Sequence, residues 1–412
     1  MAITGIAITL IAAFAARFCV YRPGDSSSYD VRAYGAKGDG FTKDTRALQS
    51  AIDAAGGLGG RVRFPPGKYL SGTLHLRTNV SVTLDAGATL IASRDEADFD
   101  PYERVSAQSV TYAKPTWILP PRMQRPGVLV TASAAASTTI DDPDTTYAHY
   151  SLILADGVSN INIEGLGTID GNSTERGGPK LITLKNCHQI TIRHLTLRNA
   201  PSYNVSLMGS EHVDVEDLKI VNGYADGIDP DNSRFVRIAN CYIDTWDDAI
   251  CAKASLALGQ RLATENLSVV NCILRTSNNG LKFGTESEGD LRNATFSNCI
   301  ILPRTSGRAP ITGVAIESVD GGKVSAVRVF NVVMCGVRTP IFLRLGNRGR
   351  GMSAPHPGRI ADVAINKVTA LDAVNPCSIN GLPNYPIHNV SLSNINVQEM
   401  GGGMPLGSLC TS

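Results

Sequence analysis

Three segments of the sequence decide the fold: QITIRHLTL (189–197), HVDVEDLKI (212–220) and FVRIANCYI (235–243). In each, two short stretches of alternating apolar and polar residues flank a brief interruption, and alternation with a period of two is typical of a half-buried β-strand. Further copies occur on both sides, and they are NINIEGLGTI (160–169), NLSVVNCIL (266–274), NATFSNCII (293–301), AVRVFNVVM (326–334), DVAINKVTA (362–370) and NVSLSNINV (389–397). From about residue 150 the chain is therefore an array of repeats.

The spacing of the copies indicates the architecture. The second residues of successive copies are closest together in pairs such as Ile190 and Val213, and they are farthest apart between Val327 and Val363. Stacked coils that each carry several short parallel strands fit such a variable period. Propeller blades need hairpins, and the paired turn signals of hairpins are absent. The sequence predicts an all-β fold, a single-stranded right-handed parallel β-helix.

A helical pattern precedes the repeats, in residues 45–55. Leu48, Ile52 and Ala55 fall on one side of this segment, and Asp44 or Thr45 can cap its start. The first coil of a solenoid exposes apolar core and unpaired strand edges. We therefore expect this helix to lie across the first coil as an N-terminal cap.

The domain boundaries follow from where the repeat pattern holds. We predict one β-helix domain over residues 28–412, with a long insertion at about 94–147, where the period is lost. That insertion is expected to lie beside the solenoid and to wall a groove, with disorder as the alternative. Residues 2–16 resemble the apolar core of an export signal, although no Lys or Arg precedes them. Residues 1–20 are thus predicted to be a signal or a disordered N-terminus, and the protein to be secreted or periplasmic.

Charge and cysteine placement exclude several classes of function. The net charge is +1 without a block of like charge, which argues against nucleic acid and against an anionic membrane as partners. The apolar run at the N-terminus is too short to span a bilayer. Cys241, Cys272 and Cys299, three of nine cysteines, each follow an Asn at one place in the repeat, which favours buried thiols over a disulfide ladder. No cysteines have metal-ligand spacing, so no structural zinc is expected.

Acidic residues recur at one place in adjacent repeats. Asp226 follows Val213 at nearly the interval at which Asp247 and Asp248 follow Val236. Stacked coils pair like neighbouring strands, about 4.8 Å apart, so the three carboxylates are expected on one face. Their mutual repulsion and partial burial should raise at least one pKa.

Glycoside hydrolysis needs such a group of carboxylates. One carboxylic acid protonates the leaving oxygen while a carboxylate activates water or attacks the sugar. One coil step plus side-chain spread can reach the roughly 6.5 to 9.5 Å of inverting enzymes, and the shorter retaining separation stays open. Two other interpretations are a calcium site and a solvated acidic turn, to which Asp229 and Asp231 are assigned.

The motifs around these aspartates resemble glycoside hydrolase family 28, the polygalacturonase family of pectin-degrading β-helix enzymes. YADGID (224–229) is similar to its Asn-Thr-Asp-Gly motif, and WDDAICAK (246–253) to its Asp-Asp-Cys-Ile-x-x-Lys motif. Further similarity lies in GLGTIDGN (165–172), LRNAPSYNV (197–205) and VRAYGAKGDG (31–40). The resemblance implies that Asp247 is the general acid, that Asp226 and Asp248 hold the attacking water, that hydrolysis inverts the anomeric carbon, and that Lys253 contacts substrate.

Two departures from the family pattern concern substrate recognition. Where the family has Gly-His-Gly, this chain has Asn278-Asn279-Gly280, and where it has Arg-Ile-Lys, the chain has Ala315-Ile316-Glu317. The family uses that Arg and Lys to hold a uronate carboxylate, and a glutamate would repel it. We expect a substrate other than polygalacturonate, with a neutral or differently charged sugar such as a rhamnosyl or galactosyl residue.

Other residues at or near the place that the three aspartates occupy in their repeats are candidates for substrate contacts. Surface ion pairing is the alternative for the charged ones. Coil packing is the alternative to sugar stacking for Tyr203, which follows Ile190 at the interval at which Asp226 follows Val213. The candidates are Tyr203, Lys253, Asn279, Lys282, Glu286, Glu317, Arg344 and Arg348.

Two rival functions share the predicted fold. A polysaccharide lyase or uronate epimerase would need cations or calcium for an acidic sugar, and the lost Arg and Lys argue against it. A non-catalytic glycan-binding β-helix would have no need of the three aspartates. No nucleotide loop or catalytic serine elbow occurs, so we expect no organic cofactor and a polysaccharide or oligosaccharide as the partner, while the oligomeric state is open.

Overall fold

The computed structural model describes residues 28–57, 59–101 and 147–400. Residues 1–27 and most of the predicted insertion lie outside these ranges. The N-terminal part contains β1 (Ser28–Asp30), a 3-10 turn (Val31–Tyr34), β2 (Asp39–Lys43), α1 (Thr45–Gly56), β3 (Gly60–Phe64), β4 (Gly67–Ser71), β5 (Leu74–His75), β6 (Val80–Leu84), β7 (Ala88–Ala92) and a second 3-10 turn (Glu96–Asp98).

The repeat region consists of strands that are joined by short turns in its first part. These strands are β8 (Ser151–Asp156), β9 (Ser159–Gly165), β10 (Thr168–Asp170), β11 (Lys180–Lys185), β12 (His188–Arg193), β13 (Thr196–Arg198), β14 (Val205–Met208), β15 (Glu211–Glu216), β16 (Lys219–Gly223), β17 (Ile228–Asp231), β18 (Arg234–Ala239), β19 (Tyr242–Thr245) and β20 (Ile250–Ala254).

The strands lengthen toward the C-terminal end, where neighbouring strands of the larger sheet merge into one. They are β21 (Thr264–Val270), β22 (Ile273–Thr276), β23 (Asn279–Ser287), β24 (Leu291–Pro303), β25 (Thr312–Ser318), β26 (Lys323–Cys335), β27 (Thr339–Leu345), β28 (Arg359–Ala373), β29 (Ser378–Asn380) and β30 (His388–Glu399).

The described strands form two parallel sheets that run the length of the molecule. The larger sheet has 20 strands, and the smaller has 10, in the order β5, β8, β11, β14, β17, β20, β23, β25, β27 and β29. Each strand pairs with its counterpart one coil away. The predicted right-handed parallel β-helix is confirmed, with similar solved structures described below.

The repeat alignment made from the sequence matches the observed register. Ile190 pairs with Ile161 on one side and with Val213 on the other, and Val213 pairs with Val236. The same column continues without a shift through residues Leu267, Ala294, Val327, Val363 and Val390. All but the last of these side chains are buried, because alternate residues of every strand point into the solenoid.

Asparagine ladders turn the chain between strands of the larger sheet. Asn240 and Asn271 both have φ of 57°, and the Asn271 amide donates to the Asn240 side-chain oxygen at 3.3 Å. Asn tolerates the left-handed region better than other residues with a Cβ, which explains its recurrence in the repeat. The following residues, Cys241 and Cys272, are buried free thiols, as is Cys299 in the next coil, so the predicted thiol packing is confirmed.

Helix α1 covers the first coil as predicted. Leu48, Ala51, Ile52 and Ala55 are buried, and the helix packs on β1, β3, β5 and β6. Asp44, one of the two candidate caps, is the N-cap residue, but its side chain makes no cap hydrogen bond, because its carboxylate accepts instead from the Lys37 and Gly38 amides at 2.7 and 2.9 Å. Within the described ranges, no helix is both long and apolar enough to cross a membrane.

Candidate active site

The three aspartates singled out from the sequence meet on one face of the smaller sheet. Asp226 lies in the turn before β17, and Asp247 and Asp248 lie in the equivalent turn before β20. Backbone bonds hold the two turns in step: Gly227 donates to the Asp248 carbonyl at 2.9 Å and Ile228 to the Ala249 carbonyl at 3.1 Å. One oxygen from each carboxylate lies within 4.8 Å of one oxygen from each of the others. Stacking of the coils therefore produces the cluster.

Each of the three carboxylates has a cation of its own. Lys253 on β20 contacts Asp226 with 2.8 Å between Nζ and Oδ2, and Lys282 on β23 contacts Asp248 at the same distance. Arg176, from the segment between β10 and β11, forms an ion pair with Asp247. Repulsion within the cluster is thus balanced by three cations that come from three different coils.

The carboxylates differ in exposure. The Asp247 side chain is 21% exposed, whereas those of Asp226 and Asp248 are 5% and 4% exposed. Burial, together with the neighbouring Asp229, raises the pKa of Asp226 well above its ordinary value. Burial also acts to raise the pKa of Asp247, but the Arg176 guanidinium, the Lys282 ammonium group and the Asn278 amide together outweigh it and hold that pKa below its ordinary value.

Asp229 belongs to the same cluster, and its assignment to a solvated turn is wrong. It lies in strand β17 rather than in a turn, it is 1% exposed, and its Oδ1 is 3.4 Å from Lys253 Nζ. Burial raises the pKa of Asp229 to about 7 despite the nearby lysine. Asp231, two residues on, is also buried in the strand and accepts from the Ser255 amide at 2.8 Å, which is a structural contact.

Two asparagines orient the Asp247–Asp248 pair. Asn279, which the sequence places level with Asp248, donates to Asp248 Oδ1 from its side chain at 2.6 Å and from its backbone at 3.1 Å. Asn278, which the sequence marked only as a departure from the family pattern, donates to Asp247 Oδ1 at 2.5 Å. The Asn-Asn pair therefore gives each aspartate one side-chain amide donor.

Tyr203 and Lys253 lie beneath the cluster. Lys253 is 3% exposed, and its ammonium group contacts the Tyr203 hydroxyl at 2.8 Å and lies 4.1 Å from the ring centroid. The ammonium group of Lys180 is 4.9 Å from the same centroid. Because two ammonium groups cover the buried ring, Tyr203 fits the packing alternative better than sugar stacking.

The remaining candidates lie on later coils of the same sheet. Glu317 on β25 is beside Arg344 on β27, with 4.0 Å between their charged atoms. Arg348 lies in the segment after β27 and forms its shorter ion pair with Asp320, while its nearest contact with Glu286 is 3.9 Å. Burial raises the pKa of Glu317, although Lys282 and Arg344 act against it.

Ala315 and Glu317 occupy the face that carries the cluster. Val314 and Ile316 point into the core, so the alternating Ala315 and Glu317 point outward. Ala315 pairs in register with Lys282, the cation of Asp248. Positions 315 and 317, where the family resemblance implies two cations, thus carry a methyl group and a carboxylate next to the cluster.

Asp226, Asp247 and Asp248 have the oxygen chemistry that a hard cation prefers. Lys253, Lys282 and Arg176 already neutralise these carboxylates. A divalent ion would therefore have to compete with three cations of the chain.

Arg176 could not be identified by spacing, because it does not share the place of the aspartates in the repeat. The register of β11, β14 and β17 puts Lys180 level with Tyr203 and Asp226, and Arg176 precedes Lys180 in the segment before β11. Its contact with Asp247 depends on side-chain reach across coils, which spacing does not specify.

Comparisons with known proteins show which family the chain matches. The sequence model of "Glycosyl hydrolases family 28" matches residues 122–411. A probable polygalacturonase of Vitis vinifera is 25% identical over 92% of this chain and 76% of its own length. An exo-poly-alpha-D-galacturonosidase of Dickeya chrysanthemi is 25% identical over 84% of this chain and 62% of its own length.

Solved structures show the same fold. An exopolygalacturonase from Thermotoga maritima superimposes with a TM-score of 0.69 at 18% identity, covering 90% of this chain and 87% of that chain. A polygalacturonase from Erwinia carotovora ssp. carotovora gives a TM-score of 0.62 at 21% identity, covering 89% and 94%.

Proposed function

Because the chain belongs to glycosyl hydrolases family 28 and is a glycoside hydrolase, we propose that it cleaves a plant- or algal-type polysaccharide or oligosaccharide by inversion, using Asp226, Asp247 and Asp248. The observation that carries this proposal is the meeting of three carboxylates on one face of the smaller sheet. Such a group supplies both an acid and a base for glycosidic cleavage.

Asp247 is the general acid in this proposal. It is the most exposed of the three side chains, so it is the one that a glycosidic oxygen can reach. The Asn278 amide and the Asp248 backbone amide both donate to its Oδ1, which leaves Oδ2, now paired with Arg176, as the oxygen that would carry the proton.

Asp226 and Asp248 hold the attacking water. Both are recessed, and each is tied to a buried lysine, so neither presents a carboxylate that can itself approach the sugar. A water molecule would fit between these two carboxylates and the anomeric carbon of the sugar. Direct attack by that water inverts the configuration. The carboxylate oxygens, within 4.8 Å of one another, are closer than the roughly 6.5 to 9.5 Å common to inverting enzymes. The proposal of inversion therefore rests on the burial of Asp226 and Asp248 and on the family resemblance.

The proposed substrate is not polygalacturonate. Ala315 and Glu317 stand where the family resemblance implies two cations for a uronate carboxylate, and the Glu317 carboxylate would repel that group. A neutral sugar such as a rhamnosyl or galactosyl residue avoids this repulsion, since carboxylates accept hydrogen bonds from hydroxyl groups. Glu317, Glu286, Lys282 and Arg344 are the proposed contacts.

The test is product release from a panel of glycans that includes polygalacturonate and polymers with rhamnosyl or galactosyl linkages. We expect release from a glycan other than polygalacturonate, and we expect Asp247→Asn to reduce it by about 100- to 10,000-fold, the usual contribution of general acid–base catalysis. Asp214→Asn, on the outer face of the larger sheet, is the matched control.

Each other outcome points to a different function. Strong cleavage of polygalacturonate would contradict the interpretation of Ala315 and Glu317, and unsaturated products would indicate a lyase. Unchanged activity in Asp247→Asn would remove Asp247 from the mechanism. A ¹H NMR spectrum of the first product that shows retained anomeric configuration would overturn inversion.

We also propose that the protein is exported, in line with the apolar run at residues 2–16. The check is mass spectrometry of the intact protein from the producing cells and from their medium. Cleaved protein in the medium or periplasm is expected, and full-length protein confined to the cytoplasm would contradict the proposal.

A further inference from the structure

The ion pair between Arg176 and Asp247 has no place in the roles assigned above. Arg176 belongs to the segment between β10 and β11, whereas Asp247 precedes β20, so the contact spans several coils. An arginine guanidinium is charged at any pH at which proteins fold. It therefore favours the ionised form of the residue proposed as the general acid.

Arg176 differs from the two lysines that balance the other carboxylates. Lys253 and Lys282 project from strands of the smaller sheet, and their side chains are 3% and 12% exposed. Arg176 projects from a turn, and its side chain is 30% exposed. It can leave its carboxylate without moving a strand, whereas the lysines are held in place by the packing around them.

The surroundings of Asp247 do not all act in one direction. Burial favours its protonated form and is the largest single effect. Arg176 and Lys282 favour the ionised form, and Arg176 is the larger of the two effects. Removing Arg176 alone would leave burial against Lys282 and the Asn278 amide.

We propose that Arg176 is a latch on Asp247: it holds the carboxylate ionised in the free protein, and the substrate displaces it when it binds. This inference rests on the proposed role of Asp247 as the general acid. Once the guanidinium leaves, Asp247 takes up a proton from solvent. It donates that proton to the glycosidic oxygen as the C–O bond breaks, while a proton from the attacking water passes to the Asp226 and Asp248 pair.

The latch has a thermodynamic requirement. A ligand shifts an equilibrium only by its differential affinity for the two states, so the substrate must bind the displaced form more tightly than the latched form. A sugar ring placed over Asp247 meets this requirement, because it cannot occupy the space in front of Oδ2 while the guanidinium is there. Arg176 is then a positioning residue, since it acts on the reaction through Asp247.

The pH dependence of the two kinetic constants tests the latch. The profile of kcat/KM reports groups of the free enzyme, and that of kcat reports groups of the substrate complex. A general acid is active below its pKa, so it produces the falling limb at high pH. We expect Arg176→Gln to move this limb of kcat/KM to higher pH and to leave the limb of kcat in place. On the falling side, a movement of one pH unit raises kcat/KM by about tenfold.

The experiment uses the panel oligosaccharide that the wild-type protein cleaves fastest. Arg176→Lys should return the limb toward its wild-type position, because it restores a cation. Arg237→Gln, which removes an equally charged side chain from the outer face of the larger sheet, should move neither limb. A ¹³C-carboxyl NMR titration of the free protein gives a readout without substrate, in which Asp247 should titrate at higher pH in Arg176→Gln.

Two results would overturn the latch. If Arg176→Gln moves both limbs together, the guanidinium stays on Asp247 in the complex. If activity falls at every pH with both limbs unmoved and the titration unchanged, Arg176 has only a structural role. Failure of the proposed function is distinct from either result, because it would appear as full activity in Asp247→Asn.

Discussion

The two sheets of the β-helix stack their strands in the same way but place different residues in their columns. On the larger sheet, the same residue type occupies equivalent positions of successive coils: Asn271 stacks on Asn240, and buried thiols recur at one position from coil to coil. On the smaller sheet, one column runs from Cys251 to Lys282 and then to Ala315. Where the same residue type recurs in every coil, it serves the backbone turns and the core. Where the residue type changes from coil to coil, unlike charged groups come together.

Burial separates the two regions further. The ion pair between Arg237 and Asp214 lies on the outer face of the larger sheet in contact with solvent. Charged residues of the smaller sheet and its turns are less than a tenth exposed in many positions, and these include Asp226, Asp229, Asp231, Asp248, Lys253, Glu286, Glu288, Glu317 and Asp320. Burying charge costs stability unless it is paired, so the smaller sheet keeps these groups at the expense of folding free energy.

The largest expected effect is the loss of a buried cation. Lys253→Met leaves Asp226 and Asp229 buried without their ammonium partner, and breaking a buried pair in this way typically lowers the free energy of unfolding by about 3 to 5 kcal/mol. Arg237→Met breaks an exposed pair, for which about 0 to 1 kcal/mol is expected. Urea unfolding of both variants measures the difference, and equal losses would contradict the contrast between the sheets.

A second effect appears in the pH dependence of stability. Folding raises the pKa of Asp229 from 3.8 to about 7, so between these values the folded protein binds more protons than the unfolded chain. Its contribution therefore makes stability fall as pH rises through this window, by at most about 1.4 kcal/mol per pH unit for one group. Asp229→Asn should remove that part of the slope, as read from urea midpoints at several pH values.

Asp214→Asn is the control for this slope. Asp214 lies on the outer face of the larger sheet, and its removal should leave the pH dependence between 4 and 7 as in the wild type, to within about 0.5 kcal/mol. A slope unchanged in Asp229→Asn would mean that Asp229 stays ionised in the folded protein.

The smallest effect concerns the asparagine ladder. Asn271 has φ of 57°, and Asn271→Ala should lower the free energy of unfolding by about 1 kcal/mol, because alanine is strained in the left-handed region. Asn271→Gly should lose less, since glycine adopts that conformation without a Cβ clash. Thermal unfolding of the pair is the measurement. Equal losses in both variants would assign the effect to the ladder hydrogen bond instead of to the backbone.

Much of the fold was predictable from the sequence because its period is repeated many times. Apolar residues at alternate positions, such as Ile190 and Ile192 or Val213 and Val215, identify strands. The second residues of successive repeats pair in register. Asp226, Asp247 and Asp248 came from the same counting. Asp229 was misassigned because Asp and Asn near Pro and Gly usually indicate a turn, whereas here pairing of β17 with its neighbours places it in a strand.

The sequence alone determined the β-helix, its capping helix and the column in which three aspartates recur, since each depends on a period that can be counted along the chain. Only the tertiary structure decided which cation balances which carboxylate, how deeply Asp226 and Asp248 are recessed, and that Arg176 reaches Asp247. These properties depend on side-chain length, rotamer and burial among residues far apart in the sequence, and a linear pattern contains no information about such distances.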